Sequence, residues 1–441
     1  MKDYGVFMNE RQTLKINDNN HLEIGGVDCS LLREQYGTPL YVMDQEYIEN
    51  MCKIYSKTLT EEYGDGLICY ASKAFSCLEI YRIINNMGIG ADSVSIGELY
   101  TAKKANFPMQ KICFHGNNKS LAELEFAIDN GVGYIVIDSY TEANEIDELC
   151  AKKGVKQNVL IRINPGVEAH THHFIQTAKI DSKFGFSIQS GEAEQIVTYV
   201  AEKKNIVLKG LHCHIGSQIF ESKSFELAVE KMTDFYKFLK DKYAIDFDVL
   251  NMGGGFGIFY TDGDAKKSYN EYAEYIKTIS KSLLLAVNEK GIKKPYLILE
   301  PGRSIVGEAG ITLYTAGNVK TIKDIKNYIA IDGGMCDNPR FALYQAKYTV
   351  VSADNMRADK NVKYTIAGKC CESGDIIAED VMLPETKKGD LIAVLSTGAY
   401  NFSMSSNYNR NLIPPVVMVK NGQSRYVVKP QTIDDLLRND V

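Results

Sequence analysis

The apolar run GLICYA ends in Ser72 and Lys73, within CYASKAF. Lysine is seldom found in apolar surroundings without a partner or a use. A strand-end lysine can send its head into solvent. The alternative is an amine desolvated by its apolar strand, with a lowered pKa and able to form a Schiff base. Taken alone, Lys73 fits either description. Other reactive residues close similar runs: Asp92 in IGADSV, His115 in KICFHG, Arg162 in NVLIRINPG and His214 in LHCHIG. The glycines Gly253, Gly254 and Gly255 follow FDVLNM, and Glu300-Pro301-Gly302-Arg303 follows YLIL. Bare glycines let backbone amides approach an anion, although a tight turn uses the same residues. The spacing matches neither a dinucleotide fingerprint nor a P-loop. Glu300 and Arg303 add a carboxylate and a guanidinium beside that anion pocket.

These residues share a position because the elements carrying them repeat. From about residue 67 to 300, short β-branched runs alternate with stretches apolar at three- and four-residue spacing, such as SLAELEFAIDN and YTEANEIDELCAKK. Eight such units predict a closed (β/α)₈ barrel over residues 46–309, whose reactive groups gather at the C-terminal ends of the strands. After residue 310, ITLYTAG, NYIAID, KYTVVSA, VKYTIAG and LIAVLSTG read as strands, and VVMVKNGQSRYVV reads as a hairpin around Asn421-Gly422. HLEIGG and PLYVMD, ahead of the barrel, read as strands able to join them. The expected second domain is therefore mostly β and discontinuous, residues 1–45 and 310–441.

A reactive lysine and a phosphate cradle on one barrel face suggest pyridoxal 5′-phosphate. Glu300 would then hydrogen-bond the ring nitrogen, and a histidine would lie over the ring. A strand-end carboxylate paired with arginine is the simpler alternative for Glu300. A metal is not expected at His212 and His214 or at His170, His172 and His173, since no acidic or cysteine ligands accompany them in sequence. In KCCESGD a thiol stands beside carboxylates, as a proton donor or as a core cysteine.

Composition bounds the rest. Hydrophobic residues make up 45% and charged residues 24%, with a net charge of −6, so neither nucleic acid nor an anionic membrane is an expected partner. MKDYGVFMNERQ has no apolar segment of a secretory signal, and no run reaches membrane-span length. Ten scattered cysteines without a CxxC pair suit free thiols in a reducing compartment. A soluble cytoplasmic protein is the expectation.

In order, YASKAF, FHGNNKS, PGVEAHTH, SKFGF, HCHIGSQ, GGGFGI, EPGRSIVGEAG, DGGMCDNPRFALY, CESGD and GAYNFSMSSNYN resemble the fold-type III pyridoxal-phosphate decarboxylases, and among them the diaminopimelate decarboxylases. The resemblance spans nearly the whole chain. It implies decarboxylation of meso-2,6-diaminopimelate to L-lysine, the last step of lysine biosynthesis. It places Lys73 as the Schiff-base lysine, His214 over the ring and Glu300 at the ring nitrogen. Asp92 and Glu98 become carboxylates near Lys73. Ser217, Gly254, Gly255, Pro301, Gly302, Arg303 and Tyr400 would hold the phosphate. Arg303, Arg340, Tyr344, Glu372 and Tyr400 would read the substrate, and Cys371 would return a proton to the α-carbon. It also implies a head-to-tail homodimer in which the CESGD loop serves the partner's site. Asn401 and Phe341 depart from the family pattern beside functional positions. A sister decarboxylase of ornithine, lysine, arginine or carboxynorspermidine is the nearest alternative. A racemase would carry arginine where Glu300 stands, and a non-catalytic relative would tend to lose Lys73 or Cys371.

Overall fold

The computed structural model describes residues 13–167, 182–261, 263–264 and 267–441. Two compact units emerge, one of Met51–Gly257 and Tyr269–Ser304, the other of Met1–Asn50, Ile258–Ser268 and Ile305–Val441. The N-terminal segment supplies β1 (Leu14–Ile16), β2 (Leu22–Ile24) and β3 (Val27–Asp28), a small antiparallel sheet, and then β4 (Leu40–Asp44).

The barrel unit contains β5 (Gly66–Ala71), β6 (Gly90–Ser93), β7 (Ile112–Phe114), β8 (Tyr134–Ile137) and β9 (Gln157–Asn164). A two-residue side strand, β10 (Phe186–Ser187), pairs with β9 outside the ring. The ring continues with β11 (Ile206–His212), β12 (Val249–Asn251) and β13 (Tyr296–Leu299). All eight ring strands pair in parallel, and β13 pairs with β5, so the sheet closes as expected from the eight repeated units. Its interior packs Cys69, Cys113, Val136, Leu160, Val249 and Ile298, a filled core in the manner of such barrels. Between strands, helix ends are capped by sequence. Ser120 and Glu123 form a reciprocal capping box on Leu121–Asp129. Ser139 caps Tyr140–Lys153, which ends on left-handed Gly154.

In the other unit, β14 (Gly310–Ile322), β15 (Lys326–Ile331), β16 (Val350–Ser352), β17 (Val362–Ala367) and β18 (Ile376–Leu383) precede β19 (Leu391–Leu395), β20 (Val416–Lys420) and β21 (Gln423–Val428). One path of the sheet runs β18-β17-β15-β14-β4-β20-β21, and β19 joins β14 to β16. PLYVMD is thus β4, antiparallel to β14 and parallel to β20. Asn421 and Gly422, at φ 52° and 74°, turn the expected hairpin. Strand β18 had no counterpart in the sequence reading; two register shifts break its pairing with β17 and blur its alternation.

Ile258–Ser268 also departs from the expected boundaries, which kept it inside the barrel. Phe259 is 2% exposed within the core that includes Val42, Ile311, Leu313 and Leu395. The glycines after β12 are consequently followed by an excursion, and the next barrel helix starts only at Tyr269. Tyr260 adds hydrogen bonds to Thr349 and Arg340 of the same unit, so burial and polar contacts both hold the segment there. Among the described residues, no helix is long and apolar enough to cross a membrane.

Candidate active site

Lys73 stands two residues past the end of β5, in the single turn Ser72–Ala74. Ser72 and Ala74 are buried, while the Lys73 side chain keeps 42% of its surface exposed. The expectation that the apolar strand desolvates this amine is therefore not met. Apolar packing ends with the strand, and the lysine stem leaves from the turn beyond it. Nζ lies 3.5 Å from Oδ2 of Asp92, itself 2% exposed at the end of β6. Glu98 does not pair directly with the amine. Its Oε2 accepts from Ser72 Oγ at 2.8 Å and the Val94 amide at 2.7 Å, and burial raises its pKa. The two carboxylates thus have different jobs: Asp92 faces the amine and Glu98 holds the turn that presents it.

Glu300 is enclosed at the end of β13 with 4% of its side chain exposed. His115 Nε2 lies 2.8 Å from Oε1, Asn251 Nδ2 donates to the same oxygen at 2.7 Å, and His212 Nε2 lies 3.3 Å from Oε2. Burial opposes the charge, but His115 and His212 outweigh it and hold the carboxyl well below its usual range. His212 is 1% exposed, and burial depresses its pKa to about 3 despite Glu300, so its ring stays neutral. His115, His212 and Glu300 have ligand atoms within 4.8 Å of one another. The sequence offered no acidic partner near HCHIGS; closure of the barrel brings Glu300 there from a distant strand. Their arrangement is that of a hydrogen-bonded carboxylate, with Asn251 as a fourth member.

Asn251 also ties this network to the glycine loop. Its Oδ1 accepts from Gly253 N at 2.9 Å, and Gly253 O accepts from Glu300 N at 2.7 Å. A Cβ on Gly254 would stand 2.1 Å from the Glu300 carbonyl oxygen. Gly255, at φ 101°, would bring a Cβ equally close to the Gly216 carbonyl oxygen. Neither position accepts a side chain. The Gly254 amide donates to His214 Nδ1 at 3.4 Å. His214 is held well below its usual pKa by burial and by the Lys73 charge, and so is a neutral ring beside the amine. Ser217 Oγ accepts from Arg303 Nη2 at 3.0 Å. The Pro301 carbonyl accepts from Ala71 N at 3.2 Å, and Gly302 packs against Ala71 and Ala74. EPGR and the Lys73 turn are therefore adjacent.

These groups suit a phosphorylated pyridine aldehyde: an amine for the aldehyde, a buried anion for the ring nitrogen, a neutral imidazole for its face. For the phosphate there are side-chain-free amides with a hydroxyl and a guanidinium.

The remaining candidates lie in the other unit. Cys371 alone among the ten cysteines is exposed, and its amide donates to Asn409 Oδ1 at 2.7 Å. Glu372 is exposed, with Oε2 3.5 Å from the Tyr408 hydroxyl. Arg340 is 8% exposed and opens the short helix Arg340–Tyr344, which Tyr344 ends. Tyr400 sits at φ 60°, a conformation that side-chain-bearing residues adopt at a cost. His170, His172 and His173 lie outside the described residues. Asn251 had no place in the sequence reading, although a polar residue closing an apolar strand was the same signal that marked Asp92 and Glu300.

Residues 47–307 match the family model of the pyridoxal-dependent decarboxylase pyridoxal-binding domain. The chain is 46% identical over 429 residues to diaminopimelate decarboxylase of Bacillus subtilis, covering 97% of each chain. It is 44% identical over 430 residues to that of Staphylococcus aureus, covering 97% of this chain and 99% of the relative. The solved diaminopimelate decarboxylase of M. jannaschii in complex with L-lysine superposes with a TM-score of 0.90 at 34% identity, over 98% of both chains. The chain belongs to the diaminopimelate decarboxylase family of pyridoxal-dependent decarboxylases.

Proposed function

We propose that this protein converts meso-2,6-diaminopimelate to L-lysine and CO₂ with pyridoxal 5′-phosphate, in the cytoplasm. The observation that carries the reading is Glu300: an enclosed carboxylate kept ionised by His115 and His212. Facing a pyridine nitrogen, that anion would favour a proton on the ring. An arginine in its place would favour racemisation. When bound, pyridoxal phosphate supplies an electron sink for the pair left as the α-carboxylate departs as CO₂.

Lys73 would hold the cofactor through its amine, with the Asp92 carboxylate 3.5 Å from that amine to orient it. His214, a neutral ring near the amine, would lie over one face of the cofactor. Ser217, Gly254, Gly255, the Pro301–Arg303 segment and Tyr400 would hold the phosphate. Arg303, Arg340, Tyr344, Glu372 and Tyr400 orient the substrate through its distal carboxylate and ammonium. Cys371, exposed on its loop, delivers the proton that replaces CO₂ on the α-carbon. In a head-to-tail homodimer, Cys371 and Glu372 would act in the partner's site. Overall, one C–C bond breaks, one C–H bond forms, and the substrate is neither oxidised nor reduced by an outside reagent.

The test is CO₂ release from the purified holoprotein offered meso-diaminopimelate, L-lysine, L-ornithine and L-arginine in parallel. Release from meso-diaminopimelate is expected. Release from ornithine or arginine without it would overturn the substrate assignment.

A further inference from the structure

Arg340 is a buried cation with no counter-ion among the described residues. Only 8% of it is exposed, and among the described residues no carboxylate pairs with it. Guanidinium stays charged at any pH a protein tolerates, and an enclosed charge normally has an anionic partner. Here it has two phenols instead. Nη1 donates to Tyr260 Oη at 3.0 Å and to Tyr348 Oη at 2.9 Å. The guanidinium carbon stands 5.4 Å and 5.8 Å from the centres of the same two rings. Both hydrogen bonds leave through Nη1, so the Nη2–Nε edge is uncommitted among the described residues. That edge is the fork that matches a carboxylate with two parallel bonds.

Both tyrosines are themselves fixed. Their rings meet edge to face, 5.3 Å apart at 89°. Tyr348 Oη donates to Asn401 Oδ1 at 3.2 Å, and Asn401 is fully buried directly after Tyr400. The Tyr260 carbonyl accepts from Thr349 N at 3.1 Å and Thr349 Oγ1 at 2.8 Å, and the Tyr260 amide donates to Asp264 at 3.0 Å. Tyr260 belongs to Ile258–Ser268, the excursion anchored by Phe259. That excursion thus delivers a second phenol to an arginine some eighty residues away in sequence.

We propose that Tyr260 and Tyr348, the latter braced by Asn401, are positioning residues that aim the open edge of Arg340 at the substrate's distal carboxylate. They would thereby set the preference for a substrate with two carboxylates over monocarboxylic diamino acids. This rests on the assignment of Arg340 under the proposed function.

The test uses holoprotein carrying Tyr260→Phe or Tyr348→Phe, in the native chain and in an Arg340→Lys background. Each phenol deletion in the native chain should raise KM for meso-diaminopimelate about ten-fold, with kcat changed less than about three-fold. Cofactor absorbance should match that of the parent. In the Arg340→Lys background, adding Tyr348→Phe should change KM less than about two-fold, because the fork it aims is gone. An unchanged KM in the native chain, or an equal increment in both backgrounds, would overturn the proposal. Should Tyr348→Phe not fold, Asn401→Ala tests the brace with the same two outcomes. A parent that releases no CO₂ from meso-diaminopimelate defeats the substrate assignment itself, and this inference with it.

Discussion

Lys73 shows how little a residue's own environment reveals. Its side chain is 42% exposed and its amine lies 3.5 Å from Asp92, an unremarkable pairing for a lysine. What distinguishes it is the company kept by its turn: Asp92 against the amine, the neutral His214 nearby and EPGR alongside. Borohydride treatment of the holoprotein should leave the reduced cofactor on the peptide containing Lys73, read by mass spectrometry. The Lys73→Ala protein should carry none, and a label that persists elsewhere would reassign the amine. Cys371 is the converse case. Nine cysteines are buried and resemble core filler, so the exposure of one is itself the signal.

At the scale of elements, short connections do the positioning. The loop after β12 has two constraints on Gly255, a left-handed φ and a carbonyl that a Cβ would meet at 2.1 Å. Gly255→Ala must move the backbone that supplies the phosphate amides. Cofactor affinity, titrated by absorbance, should fall at least about ten-fold while the barrel stays folded. Lys119 secures the neighbouring loop after β7. It is buried, and Nζ donates to the Gly116 carbonyl at 2.8 Å, the Val136 carbonyl at 2.7 Å and the Glu142 carboxylate. Lys119→Met leaves the enclosed Glu142 carboxyl without its partner, and should cost about 3–5 kcal/mol in denaturant unfolding. Glu142→Gln with Lys119→Met should recover part of that loss.

Across the whole molecule, buried neutral histidines bias stability against acid. The folded pKa of His212, about 3, lies below its ordinary 6.5. As pH falls the unfolded chain takes up the proton first, so stability is lost from about pH 6.5 downward toward the folded value. Going from about pH 7 to about pH 5 should cost about 2 kcal/mol at this one residue. His214 shifts in the same direction. His212→Asn keeps an N–H for Glu300 and removes the titration, so its stability loss over that interval, measured by urea unfolding, should be smaller than the parent's. The proposed head-to-tail dimer makes a second whole-molecule prediction. Lys73→Ala and Cys371→Ala proteins, each inactive alone, should regain activity when unfolded together and refolded. One mixed site would then hold both native residues. No recovery would place Cys371 in its own chain's site.

Much of this was legible in residue order alone. Eight apolar runs, each closing on a polar or glycine residue, imply a parallel barrel because only strands buried on both faces need such runs. Asn421-Gly422 marks its hairpin because both positions require positive φ. Local order cannot reveal contacts that depend on closure. Glu300 meets His115 and His212 only because β13, β7 and β11 enclose one interior. The exposure of Lys73, the register shifts of β18 and the return of Ile258–Ser268 to the β unit were likewise decided by packing. Residue types determined which chemistry was possible, since pKa, charge and donor geometry belong to side chains. Tertiary structure decided which of them act together, because distance and dielectric are properties of the fold.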